Sequence, residues 1–369
     1  MKKLNNFNHS KPVLQMGKIL FVWVMGLQLL LFAGCKHDDL SVPLPNENLR
    51  PASDFLKNNY EMHLFYAALK KVGYVDELNG AGPFTILAPS DESFNALGIF
   101  NPSDFDKMNV DSLKKVIGYH ILPRRLRVSD IPNNGVDVRY ATLEGTELYT
   151  TLASNYPNNP NAVNDLYFSG VKVNRKDVVL ANGVLHTLYG VMKPNFKKTT
   201  QQWLADHPDY SVFVKGLKKF NLWDQLNTNT QFTIFAPDNK ALENVDITEA
   251  SLNAMDASKY LGDLLFGAYL LYDKHFFISD SEAFAIINAN GGYSYFLHNN
   301  SYYMNFGSAR VSISKVNYGL TLRTGSTFSD VIVKSVTNDL PAKNDNICSN
   351  GVIHHLVDGL VTPNQAIKK

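Results

Sequence analysis

The chain has 369 residues, room for about two domains of ordinary size. Its composition is 45% hydrophobic, 12% aromatic and 19% charged, which belongs to a packed globular protein and excludes a disordered one. The formal charge is +1 and no long run has a single sign, so there is no electrostatic footprint for nucleic acid.

The first predicted element is a targeting segment. Lys2, Lys3, Lys11 and Lys18 precede an apolar run from Ile19 to Phe32. About 14 residues is too short for a bilayer span, which takes ~20, but suits a signal-peptide core. The run enters Phe32-Ala33-Gly34-Cys35, which resembles a bacterial lipobox with Phe32 where Leu is usual. The expectation is cleavage before Cys35 and acylation of its sulfur, anchoring the chain in outer-membrane lipid. The alternative is an ordinary secretory signal with an incidental cysteine. Lys36-His37-Asp38-Asp39 resembles the short acidic signal that sends some Gram-negative lipoproteins to the cell surface. The segmentation expected is a signal peptide over 1–34, a tether over 35–50 containing Pro43 and Pro45, and two folded units over 51–195 and 197–363. If Cys35 is acylated, Cys348 has no partner and disulfides play no part in the fold.

In the first unit, Ser53 or Asp54 is the expected cap of a helix carrying Leu56, Leu64, Phe65, Ala68 and Leu69. Phe84 to Leu87 reads as a short buried strand closed by Pro89, with Ser90 and Asp91 placed to cap the next helix. Leu113, Val116, Ile117 and His120 fall on one helical face. Strands are expected over 148–152, 166–173 and 178–191, and residues 155–161, rich in Asn and Pro, read as an exposed loop. Each unit is therefore α+β, with helices packed on or beside a mostly antiparallel sheet.

The second unit repeats the first. Residues 69–91 align without a gap on 217–239, and eleven of these 23 positions are identical, including Phe84-Thr85-Ile86 with Phe232-Thr233-Ile234 and Ala88-Pro89 with Ala236-Pro237. A later match, Asn182-Gly183-Val184-Leu185-His186 with Asn350-Gly351-Val352-Ile353-His354, lies at an offset of 168 rather than 148. The second unit therefore carries about 20 inserted residues.

These motifs resemble the two signatures of the fasciclin domain. The first stands as Thr85-Ile86-Leu87-Ala88-Pro89-Ser90-Asp91 and again from Thr233; the last stands from Asn182 and again from Asn350, where the copy has one extra residue at His354-His355. The resemblance implies a wedge-shaped β-sandwich flanked by helices, and a role in adhesion or matrix binding. The family's Tyr-His pair, linked to adhesion in animal members, is present as Tyr119-His120; its counterpart is Tyr269-Leu270, which lacks the His.

His120 thus has two readings, a core imidazole bonded to backbone or, with Tyr119, part of an adhesion surface. His186, His354 and His355 read as structural, tying strand to loop. Adjacent strand residues face opposite ways, so His354 and His355 cannot share a metal ion, and no metal or cofactor is expected. Cys348 aligns with apolar positions and is expected to be a buried, inert thiol. Tyr293, Tyr295, Phe296, Tyr302, Tyr303 and Phe306 alternate with small polar residues between turns at Gly291-Gly292 and Asn299-Asn300. The alternate aromatics are core, or they form a platform for a sugar or a protein. No nucleophile elbow, phosphate loop, dinucleotide fingerprint or zinc-protease motif is present, so catalysis is not expected. The expected function is surface adhesion to a protein or matrix. The alternative is a glycan- or peptide-binding accessory to a TonB-dependent outer-membrane transporter.

Overall fold

A computed structural model describes residues 49–154, 164–195, 197–288 and 344–368 in full, and four strands between 293 and 335 by their backbone. The targeting segment and the Asn/Pro-rich loop expected at 155–161 lie outside the described residues.

The first half opens with α1 (Ala52–Lys57), α2 (His63–Val72) and α3 (Val75–Asn79), followed by β1 (Phe84–Pro89), α4 (Asp91–Asn95) and α5 (Val110–Tyr119). Neither Ser53 nor Asp54 caps α1. The helix begins at Ala52, and the Ala52 N–H donates to Asn182 Oδ1 at 2.9 Å. A side chain 130 residues away supplies what a local cap would have supplied. Ser90 caps α4 as expected, accepting from the Ser93 N–H. Asp91 instead caps α2, accepting from Leu64 N–H at 2.8 Å.

The strands that follow are β2 (Ile121–Leu122), β3 (Val138–Ala141), β4 (Glu147–Ser154), β5 (Asn164–Phe168), β6 (Val171–Lys172), β7 (Val178–Leu180) and β8 (Gly183–Leu188). Two strands expected as continuous are each broken. Ser169 and Gly170, both at positive φ, turn the chain between β5 and β6, and the turn at Ala181-Asn182 separates β7 from β8. One sheet has the order β2-β1-β8-β7, the other β3-β4-β5-β6. The second sheet is antiparallel throughout. The first is mixed, because β1 and β8 run parallel, from Phe84 opposite Gly183 to Pro89 opposite Leu188. The parallel pair is buried along its whole length, its polar residues Thr85, His186 and Thr187 included.

The second half repeats this plan with α6 (Thr200–Ala205), α7 (Ser211–Lys219), β9 (Phe232–Pro237), α8 (Asn239–Glu243), α9 (Glu249–Ala254), α10 (Gly262–Leu265), β10 (Leu270–Tyr272) and α11 (Asp280–Ile287). Strands β11 (Tyr293–Leu297), β12 (Tyr302–Gly307), β13 (Arg310–Lys315) and β14 (Val331–Ser335) form an antiparallel meander. With β15 (Asn346–Cys348) and β16 (Gly351–Leu356), the mixed sheet β10-β9-β16-β15 is rebuilt, again with a parallel central pair. Each half is α+β, two sheets with helices against the mixed one.

Helices and mixed sheet enclose one apolar core in each half. The core between the two sheets of the first half is completed by the second: Phe277, Ile347 and Val352 pack with Leu87, Leu148 and Phe168. Among the described residues no helix is long and apolar enough to cross a membrane.

Candidate binding surfaces

Tyr119 and His120 end α5 and are fully buried. Tyr119 Oη reaches the Glu147 carbonyl at 3.0 Å and Ser169 Oγ at 2.7 Å. His120 Nδ1 lies 2.8 Å from the Val116 carbonyl, and Nε2 accepts from the Met192 N–H at 3.0 Å. These partners fit the neutral ring with its proton on Nδ1. Burial pushes the His120 pKa down to about 4, so the ring stays uncharged at neutral pH. The adhesion reading of the pair is corrected by this placement: both rings are spent inside the fold, with no atom left to reach a partner. In the second half the strand register sets Leu270 at the place of Ile121, so Tyr269, and not Leu270 as the sequence match suggests, takes the place of His120. Tyr269 is equally buried, meets Phe213 as His120 meets Phe65, and accepts from the Leu360 N–H as His120 does from Met192.

The late-strand histidines are structural clamps, repeated between halves. His186 Nε2 meets the Leu126 carbonyl at 2.9 Å, and His354 Nε2 meets the Phe276 carbonyl at 2.8 Å. Each Nδ1 faces a backbone N–H, of Asp177 and Asp345 respectively. Thr85 and Thr233 grip the same loops: each hydroxyl donates to a carbonyl, of Arg124 and Lys274, and accepts from the N–H two residues on. His355 points the other way, to Tyr210 Oη at 3.1 Å. Among the described residues no three His, Cys, Asp or Glu side chains gather to hold a metal. Cys348 is buried, and desolvation pushes its thiol up to about 12, away from nucleophilic chemistry.

In the aromatic stretch, β11 pairs with β12 so that Tyr293 is opposite Phe306, Tyr295 opposite Met304 and Leu297 opposite Tyr302. Opposed positions share a sheet face, so Tyr293, Tyr295 and Tyr302 fall together, and Phe296 with Tyr303 falls on the other face. The side chains of these strands lie outside the described residues.

A family model described as the fasciclin domain matches residues 60–194 and again 208–363. The chain belongs to the fasciclin-domain family. Human periostin is 29% identical over 191 residues, 51% of this chain and 21% of periostin. Drosophila melanogaster fasciclin-1 is 28% identical over 233 residues, 61% of this chain and 34% of that protein. The Synechocystis protein sll1483 is 29% identical over 134 residues, 35% of this chain and 64% of that protein. The chain thus spans about a fifth to a third of the length of the two animal proteins. Among solved structures, a FAS1 domain pair from the insect cell adhesion molecule fasciclin I aligns at 19% identity and a TM-score of 0.32, covering 82% of this chain and 97% of that one.

The two fasciclin domains are not equal at their surfaces. Domain 1 exposes Tyr60 (77%), Leu97 (57%), Phe100 (63%) and Tyr189 (65%). Tyr60 precedes Glu61, whose carbonyl accepts from Asp91 N–H; Tyr189 follows Leu188, whose carbonyl accepts from Ser93 Oγ. Leu97 and Phe100 lie just past the end of α4. All four therefore border that short helix. At the repeat-equivalent positions domain 2 has Pro208, Val245, Thr248 and Val357. The shared fold does not demand large apolar side chains there. Sequence reading passed over this group because isolated apolar residues carry no periodic signal.

Proposed function

We propose that this protein is a non-catalytic adhesion module, two fasciclin domains held at the outer-membrane surface through an acylated Cys35 and binding a protein or matrix partner. Fasciclin domains recur in adhesion and matrix proteins, fasciclin I among them, and that kinship supports the general reading. The observation that carries it to a face of this molecule is the exposed group Tyr60, Leu97, Phe100 and Tyr189, present in one domain and absent from its repeat. Tyrosine and phenylalanine offer large, stiff contact area at low entropic cost, which suits a binding hot spot. The lipobox-like Phe32-Ala33-Gly34-Cys35 supports the anchor.

One experiment addresses both parts. The full chain is compared with Cys35→Ala and with the triple variant Tyr60→Ser, Phe100→Ser, Tyr189→Ser, by membrane fractionation and by binding to protein, matrix and glycan arrays. The expected results are release of Cys35→Ala from the membrane fraction, and at least about a tenfold loss of binding in the triple variant. Its melting midpoint should stay within about a degree or two, since exposed positions contribute little stability. A Cys35→Ala protein that stays on the membrane ends the lipoprotein reading. Undiminished binding by the triple variant moves the interface to another face. Recovery of a stoichiometric TonB-dependent transporter from gently solubilised membranes would replace adhesion with an uptake role.

A further inference from the structure

The two domains meet on a segment of domain 2, residues 275–287, that lies against the antiparallel sheet of domain 1. The His275 ring stacks on Tyr149 at a centroid distance of 4.0 Å, and Phe277 enters the core between the sheets of domain 1. Ala283 on α11 packs with Ala153 of β4 and Tyr167 of β5. Tyr167 Oη donates to Glu282 Oε2 at 3.1 Å. At the centre of this junction is Asp280, a carboxyl with almost no exposure. Its Oδ1 accepts from Thr151 Oγ of β4 at 2.7 Å, across the domain boundary, and its Oδ2 accepts from the Phe277 N–H at 2.9 Å.

No cation offsets Asp280 among the described residues. The charges acting on it are carboxylates, which add to the effect of burial: Asp345, which accepts from the Ile278 N–H, and Asp137. Arg139 is engaged by Asp137 and Glu147, Lys172 by Asp165, and Lys193 by the Asn344 carbonyl. His354 faces Asp345 at 3.5 Å. His275, buried against Asp137, is driven by desolvation down to about 3 and stays neutral. Strand β12, which also neighbours α11, contributes no acid or base beyond Tyr302 and Tyr303.

We propose that Asp280 is a protonation-dependent latch between the two fasciclin domains: the junction closes on the neutral carboxylic acid and loosens on the carboxylate. The Thr151 hydroxyl can bond either state, accepting from an acid or donating to a carboxylate, and its bond to the charged form is the stronger but only partly offsets the cost of burying that charge. What decides between the two states is desolvation, which disfavours the buried charge.

Burial pushes the Asp280 carboxyl up to about 7. The closed junction therefore holds a proton that the open one releases near pH 4. Latch stability is full below about pH 4, falls as pH rises towards 7, and is level above that. Between pH 5.5 and 8.5 the linkage amounts to about a 30-fold change in the opening equilibrium.

The test is amide hydrogen exchange of the full chain at pH 5.5 and 8.5, corrected for intrinsic rates, in native protein and Asp280→Asn. Native β4 and α11 are expected to lose about 30-fold protection at the higher pH while β1 and β8 keep theirs. Asp280→Asn, fixed in the uncharged form, should keep its protection at both. An equal loss in the variant, no loss in the native protein, or a loss shared by β1 and β8 overturns the latch. Should Asp280→Asn fold poorly, Thr151→Val decides. It keeps the titrating group but removes a donor to the carboxylate, so the midpoint of the native transition must move to higher pH; an unmoved midpoint also overturns it.

Discussion

His120 is held by two backbone groups, the Val116 carbonyl and the Met192 N–H, inside a site with no exposure. Its register equivalent in domain 2 is Tyr269, whose hydroxyl likewise accepts a backbone N–H, that of Leu360, so both domains keep a polar side chain at this place. His120→Leu should lower stability by about 1–3 kcal/mol, the penalty for leaving a buried donor and acceptor unmet. Partner binding should be unchanged, because the ring does not reach the surface. Denaturant unfolding with a binding assay on the same variant checks both; intact stability with lost binding would reverse the assignment. The acid limb of stability follows from the same burial. His120, His186 and His354 all have pKa values lowered by desolvation, so each stabilises fully above about 6.5 and progressively less as pH falls below it.

At the scale of elements, the two family signatures are two adjacent strands. β1 and β8 lie parallel in domain 1, as do β9 and β16 in domain 2, although about a hundred residues separate the members of each pair. The asparagine that opens the later strand fastens the helical layer to the sheet. Asn182 accepts from the Ala52 N–H and donates to the Leu78 and Gly80 carbonyls; Asn350 does the same for Thr200, Leu226 and Thr228. The glycine beside it is needed for contact, since a Cβ on Gly183 or Gly351 would sit 2.1 Å from a backbone oxygen of the neighbouring strand. Asn182→Ala removes three bonds and strands buried backbone groups at both the start of α1 and the end of α3. The expected loss is about 2–4 kcal/mol, read as a shift of the denaturant midpoint at unchanged slope. A shift under about half a kcal/mol would mean water replaces the amide.

At the scale of the molecule, domain 1 borrows part of its core from domain 2. Phe277 is 5% exposed and packs among residues of the first domain's two sheets. Phe277→Ala should cost about 3–5 kcal/mol and lower the unfolding of both domains together. Calorimetry checks this: two separated transitions, with only the second displaced, would show that the domains do not share a core. The Asp280 latch belongs to the same interface, and a shared apolar core is what makes a single buried carboxyl consequential for the pair.

The repeat, the short buried strands at Phe84 and Phe232, the Ser90 cap and the apolar face of α5 were legible in the residues. Each rests on local chemistry: apolar runs of strand length closed by proline, side-chain caps, and helical periodicity. The α+β character followed from the same signals, whereas the parallel pairing of β1 with β8 did not, since register between distant strands leaves no local trace. The alternation in 293–306 announced strands, and the backbone places them there. Local chemistry also could not tell a surface Tyr-His pair from a buried one, because Tyr119 and His120 look the same in either role until Met192 and Ser169 are brought to them. Thr151 and Asp280, 129 residues apart, carry no sign of their meeting. By itself the sequence determined the family, the duplication and the elements, whose causes lie within a few residues. Burial, strand partnership and the domain junction were decided only by the tertiary structure, because each depends on desolvation by atoms far away along the chain.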